Sequence, residues 1–306
     1  MAVLNAGRSP AAALRTRAGF AAVMATGITS VASAELDLSI LSWLFAALGF
    51  ALYAALLLGL VLHPRAAPTG VEAFAAVAAT AVLGTRLGLD GDGLAARAFL
   101  AAAAAVWIVV WVALARTRRL DPLGPATGTR LLAVVSTQSL AILVAVNAGL
   151  PSALGIALLS LGIALYAALI GGIPRSELRA GAGDVWITMG ALAISALAAA
   201  HVAIVAGGRP LRDLAFALWV VATCWLPLLV YRELRHPRLR FEPKRWSTVF
   251  PLGMYSAAST AVGKTFGFAD DPLGYAFLAL AIAAWLLTAA GAFAPVVASL
   301  RRVEET

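Results

Sequence analysis

Long apolar runs alternate with short polar breaks along the whole chain. Each run has about 17–25 residues, the length a helix needs to cross ~30 Å of hydrocarbon at ~1.5 Å per residue. Ten runs are read, at residues 18–34, 39–62, 71–88, 94–115, 131–149, 151–172, 184–206, 211–231, 246–266 and 273–298. Proline and glycine punctuate them. His63-Pro64 ends the second run and His236-Pro237 follows the eighth. Asp121-Pro122-Leu123-Gly124-Pro125 separates the fourth from the fifth, Gly149-Leu150-Pro151 turns between the fifth and sixth, and Gly171-Gly172-Ile173-Pro174 stops the sixth. Backbone groups in lipid must be paired within their own segment. The pattern therefore predicts an all-α polytopic membrane protein, a single transmembrane domain over residues 1–306 with ten helices.

The polar positions inside the runs are unevenly shared. Odd-numbered runs carry 17 Ser and Thr, even-numbered runs only 6. The odd runs hold Ala25-Thr26-Gly27, Gly84-Thr85, Ser136-Thr137-Gln138-Ser139, Thr188-Met189-Gly190 and the segment Ser256 to Thr260. Hydroxyls and amides in lipid need a partner or a cavity. Five polar helices alternating with five apolar ones predict an inner and an outer ring, each helical hairpin giving one member to each. Thr26, Gly27, Thr85, Thr137, Gln138, Thr188, Gly190 and Ser256 are the expected pore-lining residues. The same residue types also let membrane helices pack closely, so any one cluster has two readings.

Composition and charge fix the solvent and the orientation. The chain is 62% hydrophobic and 12% charged, half the charge of a soluble domain. The net charge of +8 would suggest nucleic acid in a soluble protein. Here it follows from basic loops on one side: 18 of 23 Lys and Arg fall there, among them Arg116, Arg118, Arg119, Arg175, Arg179, Arg238, Arg240 and Lys244. The opposite side holds Arg86, Arg97, Arg209, Arg212 and Lys264. The positive-inside rule puts both termini in the cytoplasm and the chain in the cell (inner or plasma) membrane. A cleavable signal is a rival reading of Arg15 and Arg17, the following apolar stretch and Ala32-Ser33-Ala34, but Thr26, Gly27, Thr29 and Ser30 interrupt the stretch. The one cysteine, Cys224, forbids a disulfide within the chain.

Several of these segments resemble a known family. Phe20-Ala-Ala-Val-Met-Ala-Thr-Gly-Ile28 resembles the first span of the tellurite-resistance/C4-dicarboxylate transporter family, which includes bacterial TehA proteins, yeast malate and sulfite transporters and the plant slow anion channel. Val134-Val-Ser-Thr-Gln-Ser-Leu140, Trp186-Ile-Thr-Met-Gly-Ala-Leu192 and Val249-Phe-Pro-Leu-Gly-Met-Tyr255 are similar to its fifth, seventh and ninth spans. The resemblance implies five helical hairpins in a quasi-fivefold array around a central pore, assembled as a homotrimer. It also implies a gate: Phe250, just before Pro251, stands where channel-type members plug the pore with a phenylalanine. Phe266 and Phe268 lie near the outer end and are the less suitable rings.

Catalytic chemistry is not apparent. Neither a metalloprotease motif, a nucleophile elbow nor a phosphate loop occurs, so no enzyme activity and no cofactor or metal is expected. Asp90-Gly-Asp92-Gly93 lacks the later ligands of a calcium loop and reads as an external turn. His201 is the one histidine within a run, open to packing or to a proton relay. Acids and bases are missing from the middle of the runs, which suits an anion channel or channel-like transporter better than a coupled carrier. Arg86 and Lys264 would supply basic pore mouths. The alternative is a proton-coupled C4-dicarboxylate carrier of malate type, or an exporter related to tellurite or sulfite transport; an embedded enzyme or assembly factor is a third class.

Overall fold

The computed structural model describes residues 10–117, 128–172, 185–235, 242, 245–267 and 271–304. Ten long helices make up almost all of it: α1 Pro10–Glu35, α2 Ser39–Leu62, α3 Phe74–Leu89, α4 Gly93–Thr117, α5 Leu132–Val146, α6 Ser152–Ile170, α7 Trp186–Ala206, α8 Arg209–Arg235, α9 Trp246–Thr265 and α10 Pro272–Glu304. Among the described residues there is no strand. The breaks at Asp121–Pro125, Ile173-Pro174 and His236-Pro237 lie outside the described residues, as do Phe268 and the basic residues Arg118, Arg119, Arg175, Arg179, Arg238, Arg240 and Lys244. Among the described residues, eight helices are long and apolar enough to cross a membrane; the two that fall short are the hydroxyl-rich α1 and α9.

Consecutive helices pair as hairpins: α1 with α2, α3 with α4, α5 with α6, α7 with α8, and α9 with α10. Each hairpin turn contains a residue in the left-handed region: Asp37 (φ 59°), Gly91 (86°), Gly149 (84°), Gly207 (73°) and Gly267 (79°). That conformation ends a helix sharply, and glycine adopts it without steric cost. Asp37 is the exception, and there Leu38 N–H donates to the carbonyl of Ser33 at 2.8 Å, closing α1 in a Schellman turn.

The odd helices pack in a closed circuit, α1 on α3, α3 on α5, α5 on α7, α7 on α9, and α9 back on α1. Even helices lie outside. Of the most apolar stretch of each, 72% of α3 and α5 and 83% of α7 is buried, against 17–28% of α2, α4, α6, α8 and α10. An outer helix contributes one narrow stripe. In α4 it is Ala96, Ala103 and Val110, in α8 Ala215, Ala222 and Leu229, a spacing of seven that keeps one line facing a neighbour. The remaining surface is Leu58, Val109, Leu287 and similar residues, 60–70% exposed. A surface so apolar is stable only against lipid.

Glycines set the spacing of the inner circuit. A Cβ on Gly27 would lie 2.9 Å from Val82 of α3. One on Gly84 would lie 3.0 Å from Leu143 of α5, one on Gly190 3.0 Å from Pro251 of α9, and one on Gly253 3.0 Å from Ile28 of α1. Four of the five joints thus bring a backbone against a side chain, the close approach that small residues permit between membrane helices.

Candidate functional site

The polar residues of the odd helices divide by direction. The Thr26 hydroxyl donates to its own helix at Ala22 O (2.8 Å) and accepts Nε1–H of Trp285 on α10 at 2.9 Å. Thr137 likewise accepts Nε1–H of Trp107 on α4 at 3.1 Å. Gln138 donates from Nε2 to Leu159 O of α6 at 3.2 Å and presses its amide on Gly162. Ser256 donates to Gly274 O of α10 at 2.7 Å. These four groups join the inner helices to outer ones. Gly27 and Gly190 sit in the joints between inner helices. Thr85 and Thr188 are buried, and their hydroxyls donate to Ala81 O (2.9 Å) and Val185 O (2.7 Å) of their own helices. Of the eight expected lining residues, six therefore serve helix packing, the second reading the sequence left open.

α9 is held from three sides. Its back is held by α8: Tyr255 Oη pairs with Thr223 Oγ1 at 2.7 Å, and Ser259 Oγ accepts Trp219 Nε1–H at 2.9 Å. Pro251 seats on Gly190 of α7 on one flank, and Gly253 on Ile28 of α1 on the other. Nine residues separate Phe250 from Ser259, two and a half turns at ~3.6 residues per turn, so the two lie on opposite sides of α9. Phe250 therefore points away from α8, toward the interior of the circuit. It is buried in one apolar cluster with Phe20 and Met24 of α1, Val135 and Ile142 of α5, and Ile194 of α7. Phe266 differs: it is 42% exposed and its ring meets Phe216 of α8 edge-on, centroids 5.6 Å apart.

Residues 16–293 match the voltage-dependent anion channel family. The chain belongs to that family. Over 92 residues it is also 36% identical to uncharacterized membrane proteins of Mycobacterium tuberculosis strains CDC 1551 / Oshkosh and ATCC 25618 / H37Rv. Those matches take in 26% of this chain and 46% of each relative, so the chain spans less than half the length of the curated relatives it matches. As a member of the voltage-dependent anion channel family it is a multi-pass membrane protein of an anion channel and transporter group.

Two charged sites flank the end of this anion channel family member's inner circuit at which α1, α3, α7 and α9 finish. Arg86 of α3 is buried and turned toward α2, its Nε–H donating to Ser42 Oγ at 2.6 Å. Its guanidinium lies 4.3 Å from the Trp43 ring centre and 3.6 Å from Asp90 Oδ1. A cation so committed binds its own neighbours, and it does not form an open basic mouth. Glu35 is the residue sequence reasoning missed. It ends α1, is 6% exposed, and sets Oε1 2.9 Å from His201 Nε2 of α7 and Oε2 3.6 Å from Lys264 Nζ of α9. The available signal was an acid ending the first run while a base ends the ninth.

Proposed function

We propose that this chain lets small anions cross the membrane through the interior of the α1–α3–α5–α7–α9 circuit, with Phe250 closing the path. The observation that carries this reading is the side of α9 on which Phe250 lies. It is buried, and the apolar cluster it belongs to draws on α1, α3, α5 and α7 as well as α9. An apolar constriction excludes water, and an ion there must shed its hydration shell. Pro251 removes one backbone N–H from α9 and weakens the helix beside the ring, which gives the turn room to move. Thr85 and Thr188 are the polar residues of the proposed lining. Lys264, 45% exposed at the outer end, supplies the basic mouth. The proposal includes ten spans, a quasi-fivefold arrangement of the hairpins, a homotrimer in the inner or plasma membrane, and cytoplasmic termini.

A proton-coupled carrier of C4-dicarboxylates, or an exporter of tellurite or sulfite, is the second reading. The observation favouring it is the buried Glu35–His201 contact, since coupled carriers place titratable groups along the path. Reconstituted protein separates the two. A channel gives uncoupled unitary anion currents in planar bilayers. A carrier gives saturable uptake that collapses when the pH gradient is dissipated.

A further inference from the structure

Glu35, His201 and Lys264 come from three helices of the inner circuit, and α9 separates α1 from α7 in that circuit. The Glu35–His201 contact therefore bridges two helices that are not ring neighbours, across the outer end of the interior. Each carboxylate oxygen faces a different nitrogen, at 2.9 Å and 3.6 Å. Glu35 and His201 are 6% and 7% exposed, so the carboxylate is held away from water and depends on those two nitrogens. Asp37, exposed on the adjoining turn, lies 3.9 Å from Lys264 Nζ. Other charged groups stand at the same ends of helices packed on α1 and α9. Arg86 faces Ser42 and Asp90 on the α2–α3 side, Asp271 at the start of α10 accepts the Thr260 hydroxyl at 2.8 Å, and Arg209 lies 3.6 Å from Asp213 at the start of α8, which also carries Arg212.

A carboxylate spanning an imidazole and an ammonium is itself the image of a bound small oxyanion. We infer that His201 and Lys264 form an external binding site for small planar oxyanions such as nitrate or formate, which the Glu35 carboxylate occupies as a built-in competitor. This rests on the proposed passage of anions through the inner circuit and names the ligand class at its outer end. The class follows from geometry: two oxygens on one planar centre can reach both nitrogens, as the Glu35 oxygens do. Removing the Glu35 charge leaves His201 and Lys264 to an incoming anion.

The test is nitrate titration of the full-length protein in lipid nanodiscs, read on the His201 imidazole resonance. The chain has three histidines, and His201→Gln assigns the signal. At about pH 8, Glu35→Gln should bind nitrate about tenfold or more tightly than wild type, while Glu35→Asp, which keeps the charge, should not. A His201 resonance indifferent to nitrate in both wild type and Glu35→Gln overturns the inference. So does a folded Glu35→Gln protein that binds no more tightly than wild type. Nitrate flux into proteoliposomes is measured alongside. Binding without flux removes the passage reading and leaves the site; flux without a His201 response does the reverse.

Discussion

The inner and outer helices of this protein use polar residues in opposite ways. Outer helices such as α4 and α8 bury one stripe and give the rest of their surface to lipid, so their polar atoms are few and point inward. Trp107 and Trp219 are typical, their indole N–H groups reaching Thr137 and Ser259. Inner helices are buried on nearly every side, and Thr26, Thr137 and Ser259 turn their hydroxyls outward to accept such donors. The lesson is that polarity in the inner ring is mainly the glue between the two rings. What is left is largely apolar, with Phe250 on α9 and the charged trio where α1, α7 and α9 end.

The largest effect should come from crowding an inner joint. A Cβ on Gly84 already lies 2.6 Å from Phe99 and 3.0 Å from Leu143. Gly84→Leu should cost ~3 kcal/mol or more and lower the thermal unfolding midpoint in detergent, since overpacking a tight joint forces backbones apart. On the outer ring, Val109→Ala at a lipid-facing position should change stability by no more than ~0.5 kcal/mol. Equal losses at the two positions would break the inner–outer distinction.

Water access sharpens the comparison within the inner ring itself. In a Cys224→Ala background, Thr85→Cys should react with a small charged thiol reagent and slow anion flux. Thr26→Cys and Gln138→Cys, turned toward α10 and α6, should react at least ~10-fold more slowly, because their sites are closed by packed side chains. Comparable rates at all three would return Thr26 and Gln138 to the lining. The smallest effect is the joint between rings. A double-mutant cycle of Thr26→Val with Trp285→Phe should give a coupling of ~0.6–1.7 kcal/mol, the range of interhelical hydrogen bonds in membranes. A coupling near zero would mean that the indole N–H finds another acceptor.

The helices, their pairing and the inner–outer division were legible in the sequence because each leaves a one-dimensional trace: run length, punctuation and the alternation of Ser and Thr. The direction of each polar side chain was not. Thr137 and Thr85 look alike in a run, and only the neighbour that a helix turns toward separates a hydroxyl bound to Trp107 from one bonded within its own helix. Gly27 and Gly190 share this ambiguity, since a glycine that lines a path and one that admits a neighbour's side chain read the same. Arg86 and Lys264 both end odd runs, yet Arg86 is spent on Ser42, Trp43 and Asp90. Glu35 was hidden by counting it as a loop residue at the end of the first run, whereas α1 continues through it into its Schellman turn at Asp37.

Conductance of Phe250→Ala against wild type in planar bilayers tests the central claim most directly, with Phe266→Ala as the control. A ring that closes an interior path should, once shortened, widen and wet the constriction, so anion conductance should rise severalfold or more. Phe250→Leu should fall between, and Phe266→Ala, whose ring meets Phe216 at the outer helix, should match wild type. Loss of stability should be smaller than the ~3–5 kcal/mol of a fully packed core phenylalanine. Unchanged conductance in folded Phe250→Ala protein, or an opening produced by Phe266→Ala instead, would contradict the account.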